Sequence, residues 1–157
     1  MSNDSVPIEE LATERFFRDF DAADVAKLAP HSRLISYTEG TTIFRASGAA
    51  DRFYLVRTGR VALFLPSLQE DVIVQTLGPG EALGFSWLAP PHLWRFSATA
   101  TSDIELIEFD AAALRQAAIV DRQLHDLLMT RMFDVVARRL EATRMQLLDI
   151  YSDQRPK

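Results

Sequence analysis

Between Arg33 and Asp110 the chain is a succession of short β-rich runs, each closed by glycine or proline. Leu34-Ile35-Ser36-Tyr37 precedes Glu39-Gly40, and Thr42-Ile43-Phe44 precedes Ala46-Ser47-Gly48. Phe53-Tyr54-Leu55-Val56 ends at Thr58-Gly59, Val61 to Leu65 at Pro66, and Val72 to Leu77 at Gly78-Pro79-Gly80. Ala98 to Thr101 and Ile104 to Phe109 follow. Breaks every 8–12 residues or so argue for an antiparallel roll or barrel rather than a βαβ sheet. All six glycines lie between Gly40 and Gly84, so turn chemistry is concentrated in this block.

Helical patterns flank the block. Ile8 to Phe20 reads as one helix, with Leu11, Phe16, Phe17 and Phe20 as its apolar stripe, and residues 1–8 read as a frayed terminus. Asp21 can cap a short helix that Pro30 stops. Asp110 can cap another over Ala111 to Ala118, and Asp121 a long one reaching about Tyr151. The expected architecture is α+β, mainly β: one domain over residues 1–157, with an antiparallel β-roll (a jelly roll, or double-stranded β-helix) over about 33–110. N-terminal helices precede the roll, and a long C-terminal helix over about 121–151 follows it.

The long helix constrains assembly. Met129, Phe133, Val136, Leu140, Thr143, Leu147 and Ile150 alternate at spacings of four and three, the two seam positions of a heptad. At 1.5 Å per residue, about 31 residues extend roughly 46 Å, more than a small roll can cover. A second copy of the chain is the expected cover, giving a homodimer; the alternative is that the stripe packs on its own roll. Leu124, Leu127, Leu128, Met132 and Val135 form a second apolar set that can face the roll. Arg122, Arg131, Arg138, Arg139 and Arg144 interleave with Asp121, Asp126, Asp134, Glu141 and Asp149, which reads as a solvated, salt-bridged face.

Composition removes several functions. The chain has no cysteine, which excludes disulfides, a thiolate nucleophile and cysteine-ligated metals, and fits a cytoplasmic setting. No apolar run is long enough for a membrane span, and the polar N-terminus lacks a signal pattern. The net charge of −5 argues against direct nucleic-acid binding. His31, His92 and His125 are too far apart for a metal motif of the cupin kind, and a lone loop histidine such as His92 reads as a surface residue. No nucleophile elbow, P-loop or dinucleotide fingerprint is present. No catalytic residue, metal or required cofactor is expected, and the chain does not read as an enzyme.

The β-block carries one composite motif. Tyr37-x-Glu39-Gly40-x-x-Ile43-Phe44-x-x-x-Gly48 is followed by Asp51-x-Phe53-Tyr54-Leu55-Val56-x-x-Gly59-x-Val61, then Leu77-Gly78-x-Gly80 and Leu83-Gly84. This series closely resembles the cyclic-nucleotide-binding domain of the catabolite-activator (Crp/Fnr) family and of kinase regulatory subunits. Ala137 to Thr143 resembles the middle of that family's dimerisation helix. The resemblance spans about Phe16 to Ile150 and implies an eight-stranded jelly roll with helices at both ends. It also implies a phosphate-binding cassette over Gly84 to Ser97, which in the family opens with Gly-Glu and closes with Arg followed by small residues. The absence of cysteine speaks against the iron–sulfur sensors of the same family.

The cassette here is atypical. Gly84 matches, but Phe85 stands where the resemblance expects the glutamate that binds the ribose hydroxyl. Arg95 stands at the distance of the phosphate arginine, with Ser97 following once one residue is deleted before Asp103. Trp87, Trp94 and two prolines add bulk. A lost hydrogen bond to a charged group is worth about 1.5–3 kcal/mol, or roughly a 10- to 150-fold weaker complex. The expected ligand set is Gly84, Phe85, Ser86, Arg95, Ser97 and Thr143, with Thr143 at the position that meets the base in relatives. The expected ligand is a cyclic nucleotide (cAMP or cGMP), with cAMP bound at micromolar strength, or another small anion. The alternative is a pocket filled by Phe85 and the tryptophans in a dimeric interaction module that binds no ligand. The family's DNA-reading domain requires roughly 50 residues. Only nine residues follow Leu148, so the expected output is a separate effector protein.

Overall fold

A computed structural model describes residues 5–154. The N-terminal region is broken where one helix is expected. Helix α1 covers Ile8–Ala12, Thr13 closes it with a hydroxyl bond to the Glu10 carbonyl (2.7 Å), and a 3-10 turn follows at Arg15–Phe17. The break lets Phe16, Phe17 and Phe20 wrap inward together, with ring centroids 5.0 Å (Phe16–Phe17) and 5.2 Å (Phe17–Phe20) apart. Burial of three rings outweighs the few tenths of a kcal/mol per residue that helix propensity offers. The expected fraying of residues 1–8 is corrected in part: residues 1–4 lie outside the described residues, but Val6 is buried and its N–H donates to Ser32 Oγ at 3.2 Å.

Helix α2, Ala22–Leu28, starts as expected at Asp21, whose carboxylate accepts the Asp24 N–H (2.9 Å). A 3-10 turn around Pro30 leads into the roll. Its strands are β1 Ser32–Tyr37, β2 Thr42–Phe44, β3 Arg52–Thr58, β4 Val61–Leu65, β5 Val72–Leu77, β6 Ala82–Leu83, β7 Ser97–Ala100 and β8 Ile104–Asp110. Two antiparallel four-stranded sheets result, in the orders β1-β8-β3-β6 and β2-β7-β4-β5. The first carries a cross-strand charge cluster. Arg33, Glu108 and Tyr54 share a register, and buried Glu108 accepts from Arg33 Nε (2.7 Å) with Arg52 Nε at 3.5 Å. Burial beside that carboxylate pushes the Tyr54 hydroxyl well above the ordinary tyrosine range.

Phe53 on β3 centres the core. Its ring lies 5.2 Å from Phe16, 5.2 Å from Trp87 and 5.8 Å from Phe109, so it touches the N-terminal segment, the cassette and β8 at once.

Asp110 and Asp121 cap the last two helices as expected, accepting the Ala113 and Leu124 N–H groups at 3.1 Å each. Helix α3 covers Ala111–Val120 and α4 Arg122–Asp153. The base of α4 is tied to the N-terminal region: Lys27 pairs with Asp121, Gln123 donates to Asp24 (3.2 Å), and Arg131 pairs with Asp19. Leu124, Leu128 and Met132 are buried, while Leu127 and Val135 pack at the edge of the core. Phe133, Val136, Leu140, Leu147 and Ile150 are exposed within this chain, whereas Met129 packs partly against the core.

Two outcomes test this account. Phe53→Ala is expected to lower unfolding free energy by about 3–5 kcal/mol in chemical denaturation, because three elements lose one partner. Asp121→Asn keeps a capping side chain but removes the charge opposite Lys27. That ion pair and the cap hold the Asp121 carboxyl below its ordinary 3.8. A carboxyl with a lowered pKa in the folded state adds stability that is complete above its unfolded pKa and vanishes as pH falls through the folded one. The difference in Tm between the native chain and Asp121→Asn is therefore expected in full at pH 7 and to shrink below about pH 4.

Candidate functional site

The cassette leaves β6 at Gly84 and returns at β7. Gly84 has φ +93°, and a Cβ added there would lie 2.8 Å from Trp94 Cη2. Glycine is required here twice, for the backbone conformation and for the indole pressed against it. Trp94 also stacks on Phe44, with centroids 3.8 Å apart and planes 10° apart, and Phe44 stacks on Tyr54 at 6.3 Å. The concavity behind Gly84 is thus occupied by a side chain of the protein itself.

The placement of Arg95 differs from expectation for a definable reason. Leu93 is bridged to Ala49, and residues 92–94 lie beside residues 47–50 after a left-handed turn at His92 (φ +54°). Trp94 N–H donates to the Gly48 carbonyl (2.8 Å), Ser47 N–H to the Trp94 carbonyl (2.7 Å), and Ala50 N–H to the His92 carbonyl (2.7 Å). The paired stretch ends at Trp94, and Arg95 opens the bend that leads into β7. Trp94 is buried; Arg95 is exposed and has no hydrogen bond or ion pair among the described residues.

The other expected ligand residues divide similarly. Ser86 is buried and Phe85 half-buried beside Gly84. The Ser97 hydroxyl lies at the start of β7 and accepts the Ala46 N–H (2.9 Å), so it serves the roll. Thr143 is exposed on α4 and donates to the Arg139 carbonyl (2.9 Å). Gly84, Phe85 and Ser86 are consecutive in the cassette, and Arg95, Ser97 and Thr143 make no hydrogen bond to them among the described residues. Inside the cassette Trp87 is fully buried; its carbonyl accepts from Arg115 (2.6 Å), while its indole N–H has no partner.

Arg139 is the side chain beside the cassette that the sequence pattern conceals. It projects from α4 with its guanidinium 5.6 Å from the Phe85 ring centroid, and it donates to the Ala82 carbonyl. Removal from water pushes its pKa down to about 10, against the opposing pull of Glu81. The aromatic ring that replaces the expected glutamate therefore holds the arginine through its π face instead of a carboxylate. Trp94 packs between Gly84 and Phe44 in this arrangement, and the Phe85 side chain carries no hydrogen-bond acceptor.

Among the described residues no helix is long and apolar enough to cross a membrane, and no group of three metal-ligating side chains is assembled. The model of the cyclic nucleotide-binding domain matches residues 34–119, more than half of the chain. A CRP-like cAMP-activated global transcriptional regulator of Mycobacterium tuberculosis is 26% identical over 144 residues; the match covers 90% of this chain and 62% of that regulator. A candidate cyclic nucleotide-binding protein of Geobacter metallireducens GS-15 superposes with a TM-score of 0.78 at 28% identity, over 86% of this chain and 98% of the other. The N-terminal domain of a transcriptional regulator from Streptomyces coelicolor A3(2) gives 0.66 at 25% identity, over 87% and 94%. With the two antiparallel sheets, the flanking helices and the cassette between β6 and β7, these likenesses show that the chain belongs to the cyclic nucleotide-binding domain family.

Proposed function

We propose that this chain is a regulatory sensor module that works as a homodimer through α4, senses a small anionic ligand of the cyclic nucleotide kind, and reports to a separate effector protein in the cytoplasm. The observation that carries the reading is Arg139, which touches Phe85 of the cassette, the Ala82 carbonyl of the roll and, by its own backbone, α4. A shift of the cassette would disturb the contact between Phe85 and Arg139, and α4 presents an exposed apolar seam to a partner copy. Two states of one element, biased by a ligand, are what a sensor requires. Output to a protein rather than to nucleic acid is supported by the net charge of −5. The lack of cysteine supports the cytoplasmic setting.

A second reading has its own observation. Trp94 fills the cradle and Phe85 replaces the acceptor, which suits an interaction module that binds no ligand. Calorimetric titration separates the two. On the sensor reading cAMP or cGMP has to displace Trp94, so the native chain binds weakly and Trp94→Ala binds at least tenfold more tightly, a gain of about 1.4 kcal/mol. A flat titration of both proteins at millimolar nucleotide overturns that reading in favour of the interaction module.

The dimer has an independent test. The five exposed apolar side chains at the seam positions of α4 lose a partner copy if the seam is charged. Val136→Glu with Leu140→Glu is expected to convert a dimer to a monomer in sedimentation velocity, with far-UV circular dichroism retained. Monomeric native chain at the same concentration would remove α4 from the mechanism.

A further inference from the structure

A second concavity lies away from the cassette, between α4, the strand and turn that lead into β6, and the N-terminal 3-10 turn. Its volume is about 160 Å³. Five arginines line it: Arg15 and Arg18 from the N-terminal segment, and Arg131, Arg138 and Arg139 from α4. Two carboxylates, Glu81 and Asp134, share the lining.

The charges do not balance locally. Arg131 is paired with Asp19, and Arg138 Nε with Asp134 (3.0 Å). Glu81 accepts the Gly78 N–H (2.6 Å). Arg15, Arg18 and Arg139 have no carboxylate within ion-pair distance among the described residues. Three guanidinium groups without an ion pair, offset only by the Glu81 carboxylate, therefore leave about two positive charges at one cavity in a chain whose net charge is −5. Phe16, Leu77 and Val135 supply apolar wall, which lowers the local dielectric and strengthens attraction for an anion. One carboxylate is satisfied by a single bidentate guanidinium, whereas a phosphate group presents several faces to several forks. A cavity of about 150 Å³ holds a molecule the size of benzene, so a phosphate or pyrophosphate group fits and a larger body can extend outward.

We propose that this cleft is a ligand site separate from the cassette, and that it binds a small phosphate-bearing anion with at least two negative charges between Arg15 and Arg18 on one side and Arg138 and Arg139 on the other. Such an anion bridges the N-terminal segment to α4 and competes with Asp134 for Arg138. The charged group can be free or carried by a nucleotide; the chemistry that the cleft reads is the same.

Calorimetric titration of the full chain at low ionic strength, with inorganic pyrophosphate in one arm and ADP in the other, tests this. Saturable one-to-one binding is expected in at least one arm: pyrophosphate if the free anion suffices, ADP alone if a nucleoside adds needed contacts. Arg15→Ala with Arg18→Ala, both exposed residues, is expected to raise Kd at least tenfold while leaving the ligand-free Tm near the native value. Arg95→Ala, in the cassette loop, is expected to leave Kd unchanged. No saturable heat in either arm at about 10 mM, an unchanged Kd in the double variant, or loss of binding on Arg95→Ala would each overturn the proposal. The cassette reading is tested with other ligands and at Trp94, so either can fail alone.

Discussion

The packing around Phe53 is the constraint on which the other features depend. Three parts of the chain far apart in sequence meet at this ring: Phe16 before the roll, Trp87 in the cassette and Phe109 on the last strand. Aromatic pairs at these separations add about 0.5–1.5 kcal/mol each beyond the area they bury. The cassette is consequently anchored at its first half by Trp87, while its second half is held by the Trp94 stack on Phe44. The break after α1 follows from the same packing, and it sets Arg15 and Arg18 on the outer side of a turn whose inner side is Phe16 and Phe17.

Burial decides which residue closes the cradle. An indole buries about 150–250 Å², worth roughly 4–6 kcal/mol at 25 cal/mol per Å². A guanidinium turned into the same space without an anion would lose several kcal/mol of hydration. The segment therefore settles with Trp94 inward and Arg95 in water. The balance is conditional, because an anion in the cradle would offset much of the guanidinium's desolvation.

What the sequence discloses follows from what is local. Glycine breaks, alternating runs and the aspartate caps at positions 21, 110 and 121 are set within a few residues, and each is found where the pattern puts it. The apolar set facing the roll on α4 is legible for the same reason, because helical spacing alone fixes the face. Strand β6 is not, since two residues carry no period and Ala82 and Leu83 become a strand only by pairing with Tyr54 and Leu55. The inward turn of Trp94 is hidden as well. A one-residue choice of register on an extended segment exchanges the buried and exposed faces, and the register here is set by distant residues 47–50.

Charge on α4 shows the same limit from the other side. Five arginines and five acids cancel by count, yet Coulomb attraction falls with distance and depends on burial, so a sum along the helix predicts little. In three dimensions Arg131, Arg138 and Arg139 line one cleft with Arg15 and Arg18, and of the five acids only Asp134 joins them there. Arg139 is a wall of that cleft and also the cation resting against Phe85 of the cassette. One side chain thus borders both regions, and its burial leaves it responsive to any anion nearby. If occupancy of the cleft draws Arg139 away from Phe85, linkage requires that displacement of Phe85 alter affinity in the cleft by the same factor. The π face of Phe85 meets Arg139 without an opposite charge, whereas a carboxylate at position 85 would hold it by charge and oppose that motion.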